Sequence, residues 1–460
     1  MIFSDKIKKT ISTFLLKLNY RIYKISEDEK IYINYFFSKN KNNNFFYYLK
    51  KYNKCHLFEH KNFLFLLGNL KTSAYKSLNH YYKKKNNWEK KQNKLLREFD
   101  LIPSSIFQGS FGNYYSLHTL LLANKYNLRN KKKIVSFLPD GLSINNTCLF
   151  EYFSQHVDVM NNKKLDKILS LKKEIPIGDI LDIKNHAYRI SEARNIIEQN
   201  RKDFKPMFKL KKKHEKQGLR ILMNMKLKKK DKFVTLHIRQ LGWRGENLRN
   251  SSSLHRTPNS ANYIEAIKFL TNKGIKVILV GNNKFSFQKI KNFINYSNSK
   301  FRSDFMDVYL AAKSIFCIAN TSGYFCVAKY FGTPVLLADG PEHSDYLTLT
   351  TRDMYLPRLF KKRDGKVIPL RDCFKYPLNS IYHTKKFEEL SIDVIENNSR
   401  DIKEAVREML YKPRRKPLTK LQKKFVINFN KNSTIYGSNF KLKAFANIPD
   451  FFLKQNYKLI

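Results

Sequence analysis

From Ser104 onward, apolar and polar positions along the chain switch between two periods. "SSIFQGSFG" reads as a short strand running into a glycine-containing loop, and "NYYSLHTLLLANKYNL" carries apolar residues at helical spacing. "KKIVSFLPDG", Lys132 to Gly141, supplies the next strand and its turn. Strand, loop, helix and strand in that order open a βαβ unit. The alternation returns more clearly after residue 232. "FVTLHI" predicts a strand, "NSANYIEAIKFLTNKG" a helix capped at Asn259 or Ser260 and ended by Gly274, and "IKVILVGNN" a strand buried on both faces. Helices over "FSFQKIKNFINYS" and "SDFMDVYLAAK", a strand "IFCIAN", a helix "GYFCVAKYFG" and a strand "TPVLLADG" follow.

The fold class expected from this pattern is α/β, with two Rossmann-like doubly wound domains behind a mostly helical and irregular N-terminal extension. The extension covers residues 1–100, the first Rossmann-like domain 101–215, the second 216–410, and a C-terminal segment over 411–460 packs back on the first domain. Two such domains in tandem set a cleft between the carboxyl ends of two parallel sheets, where open α/β sheets bind ligands. The length agrees, because 460 residues exceed what one hydrophobic core of about 250 to 300 residues encloses.

Charge changes this picture less than its size suggests. Lys and Arg number 88 against 38 Asp and Glu, so the formal net charge is +50. Lys, Asn, Ile, Tyr and Phe are abundant together, the bias that an AT-rich coding sequence imposes, so local pattern outweighs the total. Between Arg201 and Lys232, fourteen Lys and Arg face three acids, Asp203, Glu215 and Asp231, with little apolar periodicity. That stretch reads first as a solvated linker or basic surface loop, and second as a contact for an anionic membrane face or substrate. At the N-terminus, Ile7, Ile11, Phe14, Leu15 and Leu18 fall at helical spacing among Lys6, Lys8, Lys9 and Lys17. Such a helix either packs on the protein or lies on an anionic membrane. The five cysteines are odd in number and form no CxxC pair, which argues against a disulfide framework or zinc site and for a reducing compartment. "FLFLLGNL", Phe63 to Leu70, is too short to span a bilayer, and no signal-peptide pattern is visible. The expected location is cytoplasmic, with peripheral contact on the inner membrane as an extension.

Three elements are candidates for chemistry. In "FVTLHIRQLGWRGENLRNSSSLHRTP", Phe233 to Pro258, all four cations are arginines (Arg239, Arg244, Arg249 and Arg256) in a chain of 68 Lys and 20 Arg. A guanidinium presents a planar fork that matches phosphate, whereas an ammonium acts as a point charge. His237 and Arg239 share a face at the end of the strand, and the chain then turns through Gly242 and Gly245 at the ligand edge of the sheet. Arg239, being strand-terminal, is the strongest candidate, and Arg256, just before the next helix, is the second. The second element is "FCIANTSGYFCVAKYFG", where Thr321, Ser322 and Gly323 form a polar turn that leads directly into a helix, a place suited to an anion or to an ordinary N-cap. The third is "SDFMDVYLAAKS", in which Asp304 and Asp307 lie three apart; helix capping is the larger expectation there. The chain has no D-x-D, HExxH, Walker GxxxxGK[ST] or G-x-G-x-x-G.

Taken in order, "VTLHIRQ", "HRTPNSANYIEAIKFLTNKGIKVILVG" and "SDFMDVYLAAKSIFCIANTSGYFCVAKYFGTPVLL" resemble a family of bacterial glycosyltransferases, more remotely similar to GT-B-fold O-fucosyltransferases with an H-x-R motif on a nucleotide-binding strand. "FQGSFGNYYSLHTLLLANKYNL", "FEYFSQHVDVM" and the end of the chain share the likeness, which covers about 104 to 460. The resemblance implies a metal-independent GT-B glycosyltransferase with no cofactor beyond its nucleotide-sugar co-substrate. In it the second domain binds the donor and the first binds a glycan or lipid-linked acceptor, in surface-polysaccharide synthesis. Carried over by position, it implies that Arg239 contacts the donor diphosphate as electrostatic catalyst. It also implies that His237 supports the strand end, that Thr321, Ser322 and Gly323 hold phosphate, and that Arg256 accompanies them. No catalytic base stands out; Glu246 and the loop Gly109 to Asn113 are nearby without being selected. Two other readings remain: a noncatalytic basic nucleic-acid-binding protein, for which no recognition motif is visible, and a degenerate transferase retained as a glycan-binding subunit.

Overall fold

A computed structural model of the chain describes residues 21–24, 56–60, 63–67, 99–138, 141, 143–160, 180–183, 186–201, 204–241, 253–282, 290–374, 378–411, 417–432 and 441–460. Within the first hundred residues the described backbone is an antiparallel sheet of β1 (Arg21–Lys24), β2 (His56–His60) and β3 (Phe63–Leu67), with β2 in the middle. The remainder of the expected helical extension lies outside the described residues.

Next comes a three-stranded parallel sheet, in order β4 (Phe99–Ile102), β5 (Lys133–Phe137) and β6 (Asp158–Met160). Helices α1 (Tyr114–Lys125) and α2 (Thr147–Phe153) provide its crossovers. An antiparallel pair, β7 (Ile180–Ile183) and β8 (His186–Arg189), leads into α3 (Ile190–Gln199). "SSIFQ" does not continue as a strand: Ser105–Gln108 is one helical turn after β4. Ile106 and Phe107 are neighbours and both buried, which a half-buried strand with alternating faces does not allow.

The basic stretch 201–232 is also more ordered than its composition suggests. Helix α4 (Lys212–Asn224) occupies its centre and runs through the expected domain boundary at 215/216. Its buried face is His214, Gly218 and Leu222, one residue per turn. A side chain at Gly218 would strike the Tyr309 ring at 2.2 Å, so glycine is what lets α4 lie against the next unit. His214 Nδ1 pairs with the Tyr152 hydroxyl at 2.7 Å, and Lys211 reaches Glu151 at 2.7 Å, which fixes α4 to α2 as well.

The larger unit is a six-stranded, all-parallel sheet in the order β11-β10-β9-β12-β13-β14. The strands are β9 (Phe233–His237), β10 (Lys276–Val280), β11 (Phe293–Asn295), β12 (Cys317–Ala319), β13 (Val335–Gly340) and β14 (Met354–Pro357). Helices α5 (Ile264–Asn272), α6 (Asp304–Lys313) and α7 (Tyr324–Tyr330) connect them. Val234, Leu236, Val277, Ile278, Leu279 and Ala319 are almost wholly enclosed, as parallel strands covered on both faces require. Phe293–Asn295, expected within a helix, is the edge strand β11 and pairs with Val277–Leu279. Asn292, at φ 67°, stands in the left-handed region just before it, where a helix cannot run through.

Strand order grows from β9 through β10 to β11 on one side and then returns through β12, β13 and β14 on the other. The reversal falls between β9 and β12, whose residues pair directly as Cys317 with Thr235 and Ala319 with His237. That is the topological switch point, where the carboxyl ends of two strands diverge and leave room for a ligand.

Beyond β14, β15 (Leu359–Lys362) and β16 (Ile392–Ile395) pair antiparallel, and α8 (Ser399–Tyr411) packs on α5. Helices α9 (Lys420–Asn432) and α10 (Asp450–Gln455) complete the chain. Phe425 and Phe429 of α9 pack on Tyr346 and Phe374, while Lys443 exchanges two hydrogen bonds with Asn195 of α3 at 2.8 and 2.9 Å. The C-terminal segment therefore touches both units. Among the described residues no helix is long and apolar enough to cross a membrane.

A buried ion pair ties the end of the larger sheet together. Arg358, 2% exposed, donates to both carboxylate oxygens of Asp339 at 2.8 and 2.6 Å and to the His255 carbonyl at 2.7 Å. The Asn397 backbone and side chain both donate to Asp339 as well, at 3.0 and 3.1 Å. Asp339→Ala should strand the guanidinium in the interior and lower stability by about 3 to 5 kcal/mol. Urea denaturation checks this, and a loss below about 1 kcal/mol contradicts it.

Candidate functional site

Five of the six residues singled out in the sequence gather at the switch point through hydrogen bonds, and the sixth shapes the turn they share. His237 closes β9, and its Nδ1 lies 3.0 Å from the Ser322 hydroxyl. Its ring stacks on Tyr324 with centroids 5.4 Å apart and planes 8° from parallel. Burial first, and the Arg239 cation second, push its pKa down to about 4, so the imidazole is neutral near pH 7. A neutral ring can accept from Ser322 or donate to it according to tautomer. It orients the hydroxyl in either case.

Arg239 follows two residues on. Its backbone N–H donates to Asn320 Oδ1 at 2.8 Å, which joins the ends of β9 and β12. Its guanidinium donates to Thr257 Oγ1 at 2.9 Å and to Ser253 Oγ at 2.8 Å. These two hydroxyls help to fix the fork in place. Arg256 comes from the same segment and donates through Nε and Nη2 to the Thr321 carbonyl at 3.3 and 3.0 Å. Its Nε also lies 3.4 Å from Glu342 Oε1. Arg256 thus holds the β12–α7 turn through its guanidinium, and Arg239 meets Asn320 at its start through the backbone.

Thr321 and Ser322 do not act as N-caps. The residue preceding α7 is Gly323, with no side-chain cap bond, and the Ser322 hydroxyl is committed to His237 instead. Gly323 has a different reason to be glycine. A Cβ there would sit 2.7 Å from the Gly112 backbone nitrogen and 3.2 Å from Phe111 Cβ. The Gly109 to Asn113 loop of the first unit is thus pressed against this turn, and Tyr330 of α7 donates to the Phe111 carbonyl at 2.9 Å.

The aspartates of α6 play other parts. Ser303 caps α6 by accepting from the Met306 N–H, while Asp304 accepts from the Thr147 N–H and hydroxyl at 2.8 and 2.9 Å, which clasps α2 of the first unit. Burial raises Asp307 to about 6, and the carboxylate faces Tyr296 rather than the switch point. Gly242, Arg244, Gly245, Glu246 and Arg249 lie outside the described residues.

Sequence reasoning missed Asn320, Ser253 and Thr257, which position Arg239, and two acids after β13, Glu342 and Asp345. Both acids belong to "DGPEHSD" at the carboxyl end of a strand already predicted, so the ligand-edge rule applied to β13 would have reached them. Glu342 is 3% exposed and lies 3.6 Å from His255 Nε2. Among the described residues, no group of three or more His, Cys, Asp or Glu side chains could hold a metal ion.

No family model matches the chain, and no curated protein matches it. Among solved structures it is similar to a family 9 glycosyl transferase from Veillonella parvula, at 11% identity and TM-score 0.29 over 65% of this chain and 79% of that one. It is also similar to the ADP-heptose LPS heptosyltransferase II of E. coli, at 12% identity and TM-score 0.41 over 68% and 98% of the two chains. A dodecameric iron-containing heptosyltransferase, TibC, in complex with ADP-D-beta-D-heptose matches at 11% identity and TM-score 0.31 over 68% and 74%. Likenesses this loose do not locate a function, which has to be read from the site.

The depressed pKa of His237 has a thermodynamic consequence. The unfolded chain takes up the proton near pH 6.5 and the folded one only near pH 4, so stability falls as pH drops through that window, by up to about 3 kcal/mol. Buried His343, pushed down to about 3, adds a fall of the same sign. His237→Gln should flatten the decline between pH 6.5 and 4.5 while leaving the His343 share. Urea midpoints at three pH values measure it, and an unchanged slope contradicts the assignment.

Proposed function

We propose that the protein is a GT-B glycosyltransferase that moves a sugar from a nucleotide-diphosphate donor to a glycan or lipid-linked acceptor. The six-stranded unit takes the donor, and the unit carrying α1 to α3 takes the acceptor. The observation that carries the reading is the placement of Arg239. Its fork is held by Ser253 and Thr257 at the switch point, beside the Thr321 to Gly323 turn and a second arginine. Convergent guanidinium groups, a hydroxyl and backbone N–H groups at the carboxyl edge of a parallel sheet suit a diphosphate.

In this reading the chemistry is the departure of a diphosphate. Negative charge grows on the leaving oxygen in the transition state, and a guanidinium already positioned by the Ser253 and Thr257 hydroxyls stabilises it with little reorganisation. His237, neutral and stacked, keeps Ser322 in place for a phosphate oxygen. Arg256 holds the Thr321 carbonyl and so the turn itself. The abutting Gly109 to Asn113 loop brings the first unit to the same point, where an acceptor hydroxyl would have to arrive. The cations of 201–232 suit an anionic membrane face, which fits a lipid-linked acceptor, a cytoplasmic setting and surface-polysaccharide synthesis.

The test is a thermal-shift screen of the full chain against GDP-, UDP-, dTDP-, ADP- and CMP-sugars, with and without added divalent metal. One nucleotide class at 100 times its dissociation constant should stabilise the protein by about 2.7 kcal/mol. Arg239→Ala should abolish that shift or lower kcat by about a hundredfold to a thousandfold, and Arg239→Lys should not restore it, because the charge returns without the fork. Donor binding without turnover would favour a degenerate glycan-binding subunit. No shift with any donor, alongside strongly salt-dependent nucleic-acid binding, would contradict the proposal.

A further inference from the structure

Lysines gather at the amino edge of the six-stranded sheet, the edge opposite the switch point. The chain enters β9, β10 and β11 through residues 225–232, 272–276 and 290–292, and these three segments hold eight lysines and one acid, Asp231. They are neighbours in space. The Lys232 carbonyl accepts the Lys276 N–H at 2.9 Å, and the Asn292 carbonyl accepts the Val277 N–H at 3.0 Å. Lys232, Lys276 and Lys291 therefore stand at the entry to adjacent strands, which run about 4.8 Å apart. Lys228, Lys229, Lys230, Lys232, Lys273 and Lys291 are exposed. Asp231 is committed to the Lys228 N–H at 2.9 Å, and Lys276 donates to the Asn292 side chain at 2.6 Å.

Coding bias accounts for how many lysines the chain has, but not for where acids are left out. At the carboxyl edge the two signs meet: Arg256 lies 3.4 Å from Glu342, and Arg358 is bound by Asp339. The amino edge concentrates one sign instead, and such a surface attracts an anionic one. Its cations are ammonium groups on flexible stems, which read charge density rather than the geometry of one phosphate. The three segments contain no arginine and no aromatic residue on which a nucleic-acid base could stack. Met223, 59% exposed on the last turn of α4, adds an apolar side chain just before them. Lysines beside an exposed apolar side chain suit the headgroup layer of an anionic bilayer.

We infer that the amino edge of the six-stranded sheet, centred on Lys228, Lys229, Lys230 and Lys232, docks on a lipid bilayer rich in anionic headgroups. Docking on this edge sets the orientation of the site. β9 runs five residues from the edge to His237, about 16 Å, so a protein standing on it carries the switch point away from the bilayer. This consequence rests on the proposed function: a lipid-linked acceptor then reaches the switch point with its glycan end rather than with the lipid phosphate.

The experiment is flotation of the full chain with vesicles of phosphatidylcholine, alone or mixed with phosphatidylglycerol. Wild type should bind the mixed vesicles and not the neutral ones. Lys228→Gln, Lys229→Gln and Lys230→Gln together should weaken that binding about a hundredfold, since each lysine at an anionic surface contributes about a factor of five. Lys420→Gln, Lys423→Gln and Lys424→Gln, on the exposed side of α9, remove the same charge elsewhere and should change it by no more than about threefold. Both triple variants should melt like wild type and keep its donor-induced thermal shift. Equal weakening by the two triples would trace the binding to total charge and overturn the inference, as would wild type that ignores the mixed vesicles. Binding of single-stranded RNA that only the first triple loses, with vesicle binding intact, would give the edge to nucleic acid and overturn it too. Wild type that binds the mixed vesicles but no nucleotide sugar would count against the proposed function and leave the docking edge standing.

Discussion

Helix α7 is the constraint on which the rest depends. All seven of its residues, Tyr324 to Tyr330, are buried, and it touches both units at once. Its first turn begins where β12 ends, with Gly323 against the Gly112 backbone, and near its last turn Tyr330 stacks with Tyr115, lies 4.7 Å from the His118 ring and meets Phe153 edge to face. A single apolar core runs through these contacts from the three-stranded sheet into the six-stranded one. Because a close-packed interior does not deform smoothly, the position of α7 relative to the first unit also fixes the position of the Thr321 to Gly323 turn.

The same packing accounts for the electrostatics of the site. Near α7, buried charges form close pairs, Lys329 with Asp353 at 2.9 Å and Arg358 with Asp339. The switch point is built otherwise. Arg239 donates to two hydroxyls, and Arg256 donates to a carbonyl with the Glu342 carboxylate at longer range.

Much of the larger unit was legible in the sequence. Strands β9, β10, β12 and β13 are short, largely apolar runs closed by turns, and nothing competes with that pattern. That His237, Arg239 and the Thr321 to Gly323 turn stand at carboxyl ends of these strands was legible for the same reason, since strand period needs no tertiary information. Failures came where pattern and environment part. Phe293–Asn295 was too short to show a period of two, and the left-handed Asn292 leaves no strong mark in composition. Helix α4 hid behind its lysines because its buried stripe is a histidine, a glycine and a leucine. Asp304 looked like a cap for its own helix, but the donors it serves belong to α2, 157 residues away in sequence. Glu342 and Asp345 stand just past the carboxyl end of β13, where the same ligand-edge rule reaches them from the sequence.

The central claim is that a diphosphate sits at the β9–β12 switch point. Its most direct measurement is a crystal structure of the protein with whichever of ADP, GDP, UDP or dTDP binds most tightly. The account predicts phosphate oxygens within hydrogen-bonding distance of the Arg239 guanidinium and of the Ser322 hydroxyl or a backbone N–H of the Thr321 to Gly323 turn. A diphosphate bound elsewhere, out of reach of the Arg239 guanidinium, would contradict it.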